Sequence, residues 1–291
     1  MTTTTVETRT LDVPGATLTY DVRGPLPTAD GAPPLVLIGQ PMDAVGFTTL
    51  ASYFPDRTVV TYDPRGLGRS VRHDGSEIQT PEQQADDVHR VISALGAGPV
   101  DLLGSSGGAV TALCLTETFP EDVRTVVAHE PPALLLLPDA DRALGAWGRV
   151  MSVYEERGWG WGMAAFIATT SWQGEFPEDF GTDFPDPAMF GMPSEDDGSR
   201  DDPLLSGVAL GIIRYQPDIA ALKASGARVV PAAGIESNGM VTWRTTASLA
   251  EQLGVELAVF PSGHSGFMGG EYGQTGEPEA FAAKLREVLA S

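Results

Sequence analysis

Hydrophobic residues fall along the chain in two alternating patterns: short continuous apolar runs, and longer stretches with apolar positions every three or four residues. The continuous runs are PLVLIG (34–39), RTVVTY (57–62), VDLL (100–103), RTVVAH (124–129), RVVPAA (228–233) and ELAVF (256–260). Such runs are typical of strands buried on both faces. A weaker alternation over Leu18–Val22 resembles an edge strand. The stretches between the runs have helical spacing, so the pattern predicts an α/β fold with a mostly parallel central sheet and helices on both faces.

The alternation of strands and helices stops between about Pro131 and Ser225. Most of this stretch has helical character, and it holds four of the five tryptophans and an acidic, proline-rich segment from Glu175 to Asp202. We predict an α/β core formed by residues 1–132 and 224–291, with a helical cap inserted at 133–223. A second helical layer with no role in binding is the alternative.

Composition and charge narrow the classes of partner and cofactor. Apolar residues make up 42% of the 291 residues, and the formal net charge is −21. A strongly acidic chain does not suit nucleic acid or an anionic membrane surface, so we expect neither as a partner. The single cysteine and four scattered histidines do not suggest a metal site, and we expect no cofactor. The opening MTTTTVETRT lacks the features of a signal peptide, which predicts a cytoplasmic protein.

The segment Gly104-Ser105-Ser106-Gly107-Gly108 fits the pattern G-x-S-x-G. It follows the predicted strand VDLL and precedes a predicted helix, and a sharp turn between two such elements exposes the serine in its middle. The helix N-terminus also offers free N–H groups near that serine. The sequence therefore indicates Ser106 as a nucleophile; the alternative is a glycine turn whose serine only caps the helix.

Serine needs a neighbouring base to act as a nucleophile. His264 lies in FPSGHSGF, directly after the last predicted strand. A loop at that position can bring the imidazole over the carboxyl edge of the sheet, where Ser106 is expected. We therefore predict His264 as the base.

These segments together resemble the α/β-hydrolase superfamily over nearly the whole chain. TYDPRGLGRS resembles the loop after the fourth strand of that fold, GSSGGA its nucleophile elbow, FPSGHSGF its histidine loop and LIGQPM its oxyanion loop. The oxyanion loop often begins His-Gly, whereas here it begins Ile38-Gly39. The resemblance implies that the backbone amides of Gln40 and Gly107 stabilise an oxyanion.

The third member of the catalytic group has two candidates. The resemblance implies an acid after the strand RVVPAA, where Glu236 stands 28 residues before His264. Some haloalkane dehalogenases of this fold instead place the acid at the end of the preceding strand, where this chain has Glu130. We favour Glu236, and Glu130 remains the alternative.

A serine at the elbow implies acyl transfer, since relatives that open epoxides or remove halides use aspartate there. We expect a hydrolase of a small or medium ester, thioester or lactone that forms an acyl-enzyme, acting on a small molecule with an apolar portion. Two alternatives stay open: a non-hydrolytic enzyme of the same fold, such as a lyase, cyclase, acyltransferase or cofactor-free haloperoxidase-like enzyme, and a ligand-binding protein without turnover.

Overall fold

The computed structural model describes residues 5–28, 31–76, 78–207 and 210–290. Within these ranges, nine strands form one sheet. The strands are β1 (Val6–Val13), β2 (Ala16–Arg23), β3 (Leu35–Gln40), β4 (Val59–Asp63), β5 (Val71–Arg72), β6 (Val100–Ser106), β7 (Val123–His129), β8 (Arg228–Gly234) and β9 (Ala258–Phe260). Their order is β1-β2-β4-β3-β6-β7-β8-β9, and β5 pairs with β2.

In spatial order, the neighbouring strands β4, β3, β6, β7, β8 and β9 pair in parallel. Strand β2 pairs antiparallel with β1, β4 and β5. This arrangement confirms the predicted fold class. The expectation that Leu18–Val22 forms an edge strand is wrong, because β2 lies between β1 and β4. The polar sequence of β1, VETRTLDV, gave no signal for the strand that covers this edge. Of its eight residues, five are exposed, two are partly exposed and only Val13 is buried.

The helices are α1 (Thr48–Ser52), α2 (Pro81–Leu95), α3 (Gly107–Thr118), α4 (Ala140–Arg157), α5 (Trp159–Thr170), α6 (Leu210–Ile213), α7 (Ile219–Ala224), α8 (Val241–Leu253) and α9 (Pro278–Ala290). At the start of helix α2, the Thr80 hydroxyl accepts a hydrogen bond from the Gln83 amide, and Pro81 is in the first turn.

The central strands are buried on both faces because alternate side chains enter two hydrophobic cores. On β3, Val36 and Ile38 pack in the cluster that contains the apolar face of α2. Leu35 and Leu37 pack in the opposite cluster, with residues of α1 and α9. This two-sided packing explains why the strands appear in the sequence as continuous apolar runs.

The chain between β7 and β8 supplies helices α4 to α7, and we call residues 133–223 the insertion. Helices α4 and α5 pack closely against each other, around a cluster that includes Val150, Tyr154 and Ala165. The returning end of the insertion is attached to the core at Glu117 on α3. The Tyr215 hydroxyl and the Asp218 amide both donate hydrogen bonds to the Glu117 carboxylate.

Candidate active site

Ser106 occupies a tight turn between β6 and α3. Its backbone has φ 57° and ψ −127°, a conformation that is costly for a residue with a side chain and that is common at functional sites. Glycines on both sides make the turn possible. A Cβ on Gly108 would lie 2.3 Å from the Ile38 carbonyl oxygen, and one on Gly104 would lie 2.5 Å from the Gly108 carbonyl oxygen. The predicted strand–turn–helix context of Ser106 is therefore present.

His264 lies in the loop after β9, with its side chain 45% exposed. Its Nδ1 is 2.6 Å from Oε2 of Glu130, which is fully buried at the end of β7. Desolvation lowers the pKa of His264, but the charge and hydrogen bond of Glu130 outweigh it, and the net effect raises that pKa above its usual value. A histidine held through Nδ1 has Nε2 available for the nucleophile side.

Glu130 is fixed by several hydrogen bonds. Its backbone has a positive φ of 51°, and its amide donates to the Ala232 carbonyl at 2.9 Å. Oε1 accepts from the Gly234 amide at 2.9 Å, and Oε2 accepts from the Thr242 hydroxyl at 2.7 Å. Burial alone would raise the pKa of Glu130. The charge and the hydrogen bond of His264 lower it by more, so the net pKa is well below the usual range. The carboxylate is therefore ionised and directed at the imidazole.

The preference for Glu236 as the partner of His264 is corrected by this geometry. Glu236 lies in a short 3-10 turn, residues 235–237, that exposes Ile235 and Glu236 and buries Ser237. Its Oε2 accepts a long hydrogen bond of 3.4 Å from the Ser262 hydroxyl. The Nδ1 of His264 is bound instead by Glu130, the alternative candidate.

Gln40 and Gly107 are neighbours across the sheet edge next to Ser106. Gln40 ends β3 in register with Ser106 on β6, and Gly107 is the first residue of α3. A Cβ on Gly107 would lie 2.9 Å from the Gln40 carbonyl oxygen, so only glycine permits this approach of the two backbones. The structure thus brings both residues predicted for the oxyanion site beside the serine.

The side chain of Gln40 extends this neighbourhood into a buried polar network. Its Nε2 donates to Oε1 of Gln79, which also accepts from Gln84 at 2.9 Å. Gln84 in turn accepts from the Thr111 hydroxyl at 2.8 Å. The network links the end of β3 to helices α2 and α3, and it restricts the movement of the Gln40 backbone.

Comparison with known proteins places this geometry in a family. A family model described as alpha/beta hydrolase fold matches residues 33–157. The chain is 30% identical to the uncharacterized hydrolase YraK of Bacillus subtilis, over 98% of this chain and 97% of the relative. The chain belongs to the α/β-hydrolase family.

Solved structures of other α/β hydrolases have the same fold. An esterase from Thermogutta terrifontis superposes with a TM-score of 0.65 at 20% identity, covering 98% of each chain. A structure described as a putative epoxide hydrolase from Klebsiella pneumoniae gives a TM-score of 0.62 at 17% identity, also covering 98% of each chain. At these identities the likeness establishes the fold and leaves the chemistry to the residues of the site.

Two cavities of this α/β hydrolase meet at Ser106 and His264. The inner cavity, of about 270 Å³, lies under the insertion and is lined by apolar side chains that include Trp147, Phe166 and Met240. The outer cavity, of about 390 Å³, lies between the oxyanion loop and the histidine loop. Both cavities are also bordered by Gln40 and Leu204, so the candidate catalytic residues stand at their junction.

Three residues that support the site were not identified from the sequence. Thr242 and Gly234 bind the Glu130 carboxylate, and Ser237 lies buried beside it. Thr242 lies in the first turn of helix α8, whose N-terminal dipole favours a nearby negative charge. No motif marks a supporting hydroxyl of this kind, because its role depends on which carboxylate the fold brings against it.

The buried polar residues His129, Asp63 and Arg65 are each held by contacts within the fold. His129 is fully buried, its Nδ1 is 3.1 Å from the Ser105 hydroxyl, and burial lowers its pKa to about 4. Asp63 accepts a hydrogen bond from the Ala44 amide, and Arg65 forms a buried ion pair with Asp87.

Among the described residues, no helix is long and apolar enough to cross a membrane. Over the same ranges, no group of three or more histidine, cysteine or acidic side chains is arranged to hold a metal ion.

Proposed function

We propose that this protein is a serine hydrolase that cleaves a small or medium carboxylic ester, thioester or lactone through an acyl-enzyme. The observation that carries the proposal is the junction of the two cavities. There, a strained serine at a strand–helix turn and a histidine bound by a buried carboxylate line the same space. This combination of nucleophile, base and acid is the one that acyl transfer requires.

In the proposed reaction, His264 removes the hydroxyl proton of Ser106 as the oxygen attacks the substrate carbonyl. Glu130 holds the ring orientation and stabilises the imidazolium that forms. The amides of Gln40 and Gly107 donate to the oxyanion, and loss of one such donor typically costs about 2.7–4 kcal/mol in the transition state. His264 then protonates the leaving group, and water activated by the same histidine releases the acid product.

A serine nucleophile separates this proposal from epoxide opening. An ester formed between a substrate and an aspartate is the usual intermediate of that reaction on this fold, and the elbow of this chain carries a serine instead. The apolar lining of the inner cavity favours a substrate with an apolar acyl group.

Labelling with a fluorophosphonate tests whether Ser106 is activated. We expect intact-mass measurement to find a single adduct on the wild type and none on Ser106→Ala, and the wild type to hydrolyse short-chain p-nitrophenyl esters with incorporation of solvent oxygen into the acid. An unlabelled wild type that also fails to turn over these esters would contradict the proposal.

A matched pair of variants tests the identity of the acid in the same assays. Glu130→Gln removes the charge that orients His264, and we expect kcat to fall by about 10⁴-fold, as for loss of the acid in serine proteases. Glu236→Gln changes an exposed side chain in the same way, and we expect kcat to stay within about twofold of wild type. The opposite ranking of the two variants would assign the role to Glu236.

A further inference from the structure

The outer cavity has two facing walls from the loops that flank the candidate catalytic residues, and Leu67, Phe166 and Leu204 complete its lining. One wall is the segment after Gln40, where Met42 and Asp43 line the space. The facing wall follows His264 and contributes Phe267, Met268 and Tyr272. Phe267 and Met268 are themselves buried in the hydrophobic core, so this wall has a fixed shape.

Two hydrogen bonds connect the loops that form the facing walls of the outer cavity. The Tyr272 hydroxyl donates to Oδ1 of Asp43, which also accepts from the Val45 amide at 2.9 Å. Oε1 of Glu271 accepts from the Thr49 amide at 2.8 Å, at the start of α1. Tyr272 adopts a positive φ of 52°, a conformation that places its ring at the cavity and that is retained at a cost.

The chemistry of the linings limits what the cavities accept. Among the described residues, neither cavity has a lysine or arginine in its lining, and Asp43 is the only acidic side chain of the outer one. An anionic group in this cavity would meet the Asp43 carboxylate and no lysine or arginine of the lining, whereas Met42, Leu67, Phe267 and Met268 favour an apolar one.

The order of the chemical steps distinguishes the roles of the two cavities. The leaving group departs while the acyl group is still attached to Ser106, so its cavity needs a path to solvent that the acyl group does not block. The outer cavity has this path, because Tyr272 is 56% exposed and Gly68 is exposed at its rim. The inner cavity is bordered by Trp147 of the insertion, which does not line the outer cavity, whereas Phe166 borders both.

We propose that the outer cavity binds the leaving group, and that the preferred substrate is a neutral ester with an apolar group on each side of the scissile carbonyl. This inference rests on the proposed serine hydrolase function. Tyr272 and Leu67 then determine selectivity for the leaving group, and Met240 determines selectivity for the acyl group. An ester or thioester whose leaving group is anionic is a poor substrate.

The test is a reciprocal pair of cavity-filling variants, assayed with two series of esters. In one series the acyl group is constant and the alcohol part of the ester grows from methyl to benzyl. In the other series every substrate is a methyl ester and the acyl group grows. Leu67→Trp fills the outer cavity from a half-buried position, and Met240→Trp fills the inner cavity from another.

We expect Leu67→Trp to lower kcat/KM for the benzyl ester by about tenfold relative to the methyl ester, because overpacking excludes the larger group. The acyl series and the deacylation rate constant should stay near wild type, since the leaving group has gone before deacylation. Met240→Trp should show the reverse pattern. In the wild type, a carboxylate-bearing alcohol should react more slowly than a neutral one of equal size, and Asp43→Asn should narrow that ratio.

The outcomes separate this inference from the proposed function. If Leu67→Trp changes the acyl series and the deacylation rate, the outer cavity holds the acyl group and the assignment is wrong. If neither variant changes selectivity while Ser106 is still labelled, the cavities do not bind substrate and the inference fails alone. A wild type that is not labelled by the fluorophosphonate would instead contradict the proposed function itself.

Discussion

At the scale of single residues, the hydrogen bond between His264 and Glu130 determines the charge of both side chains. The pair is asymmetric, since the imidazole is half-exposed and the carboxylate is fully buried. Mutual attraction raises the pKa of His264 and lowers that of Glu130. In the proposed reaction only the neutral imidazole can accept the Ser106 proton, so activity should depend on which side of the His264 pKa the solution lies.

This asymmetry leads to a prediction about pH. Because the His264 pKa is raised above its usual 6.5, the acid limb of the kcat/KM profile should lie above pH 6.5, with activity lost as pH falls. In Glu130→Gln the raising charge is gone and desolvation remains, so the limb should move to lower pH. An NMR titration of the His264 ring protons, with Glu236→Gln as the control, measures the same shift without turnover; an unchanged pKa in Glu130→Gln would contradict the expected coupling.

At the residue scale, the sequence indicates candidates where local chemistry determines the position, and leaves them open where long-range packing does. Ser106 and His264 were predicted from the glycines and strands that flank them, and the structure brings both to one cavity. The choice between Glu130 and Glu236 depended on which side chain faces inward at two neighbouring strand ends. A positive φ at Glu130 and a 3-10 turn at Glu236 decide that orientation, and neither feature leaves a pattern in the sequence.

At the scale of elements, the elbow that carries Ser106, the candidate nucleophile, depends on how closely β3, β6 and α3 approach one another. The Gly108 position faces the Ile38 carbonyl at a distance that no Cβ can occupy. The obstruction is backbone rather than a flexible side chain, so the neighbouring strand must move to relieve it. Such a movement would displace both Gln40 and Ser106, which are paired in register.

A glycine substitution outside the elbow provides a matched comparison. We expect Gly108→Ala to lower the thermal midpoint and to slow fluorophosphonate labelling of Ser106. Gly145→Ala, in the exposed interior of α4 with open space around its position, should be neutral or stabilising by about 0.5–1 kcal/mol. Calorimetry and labelling rates on both variants measure the two effects, and equal behaviour of the pair would show that the elbow is not closely packed.

Elements of the core were predicted well because each buried strand is a continuous apolar run. The elements that the pattern missed are polar or very short. Strand β1 carries charged and threonine residues on a sheet edge that faces solvent, and β5 has two residues. Their positions depend on pairing with β2, which a local pattern does not encode.

At the scale of the whole molecule, the net charge of −21 produces a repulsion that the folded chain must overcome. Ion pairs near the start of β6 oppose this repulsion, since buried Asp101 binds both Arg57 and Arg124. Salt screens exposed charges over about 10 Å at 0.1 M, but it has much less effect on buried pairs. Screening therefore weakens the repulsion more than it weakens this attraction.

We accordingly expect the thermal midpoint to rise as sodium chloride increases from about 10 to 150 mM, most steeply at the low end. Differential scanning calorimetry at neutral pH measures the change, and sucrose at matched osmolality controls for effects unrelated to charge. A midpoint that falls over this range would mean that exposed ion pairs stabilise the fold more than the excess of acidic residues destabilises it.

The attachment of the insertion has a consequence for protein engineering. The insertion leaves the core directly after Glu130 and returns to it through Tyr215, whose hydroxyl binds Glu117 on the helix that begins beside Ser106. Both junctions therefore touch elements that carry the candidate acid and nucleophile. A chimera that exchanges this segment between relatives should keep Glu130 with the recipient scaffold and transplant Tyr215 and Glu117 together. A mismatch at either junction would disturb the alignment of the candidate catalytic residues as well as the shape of the pocket.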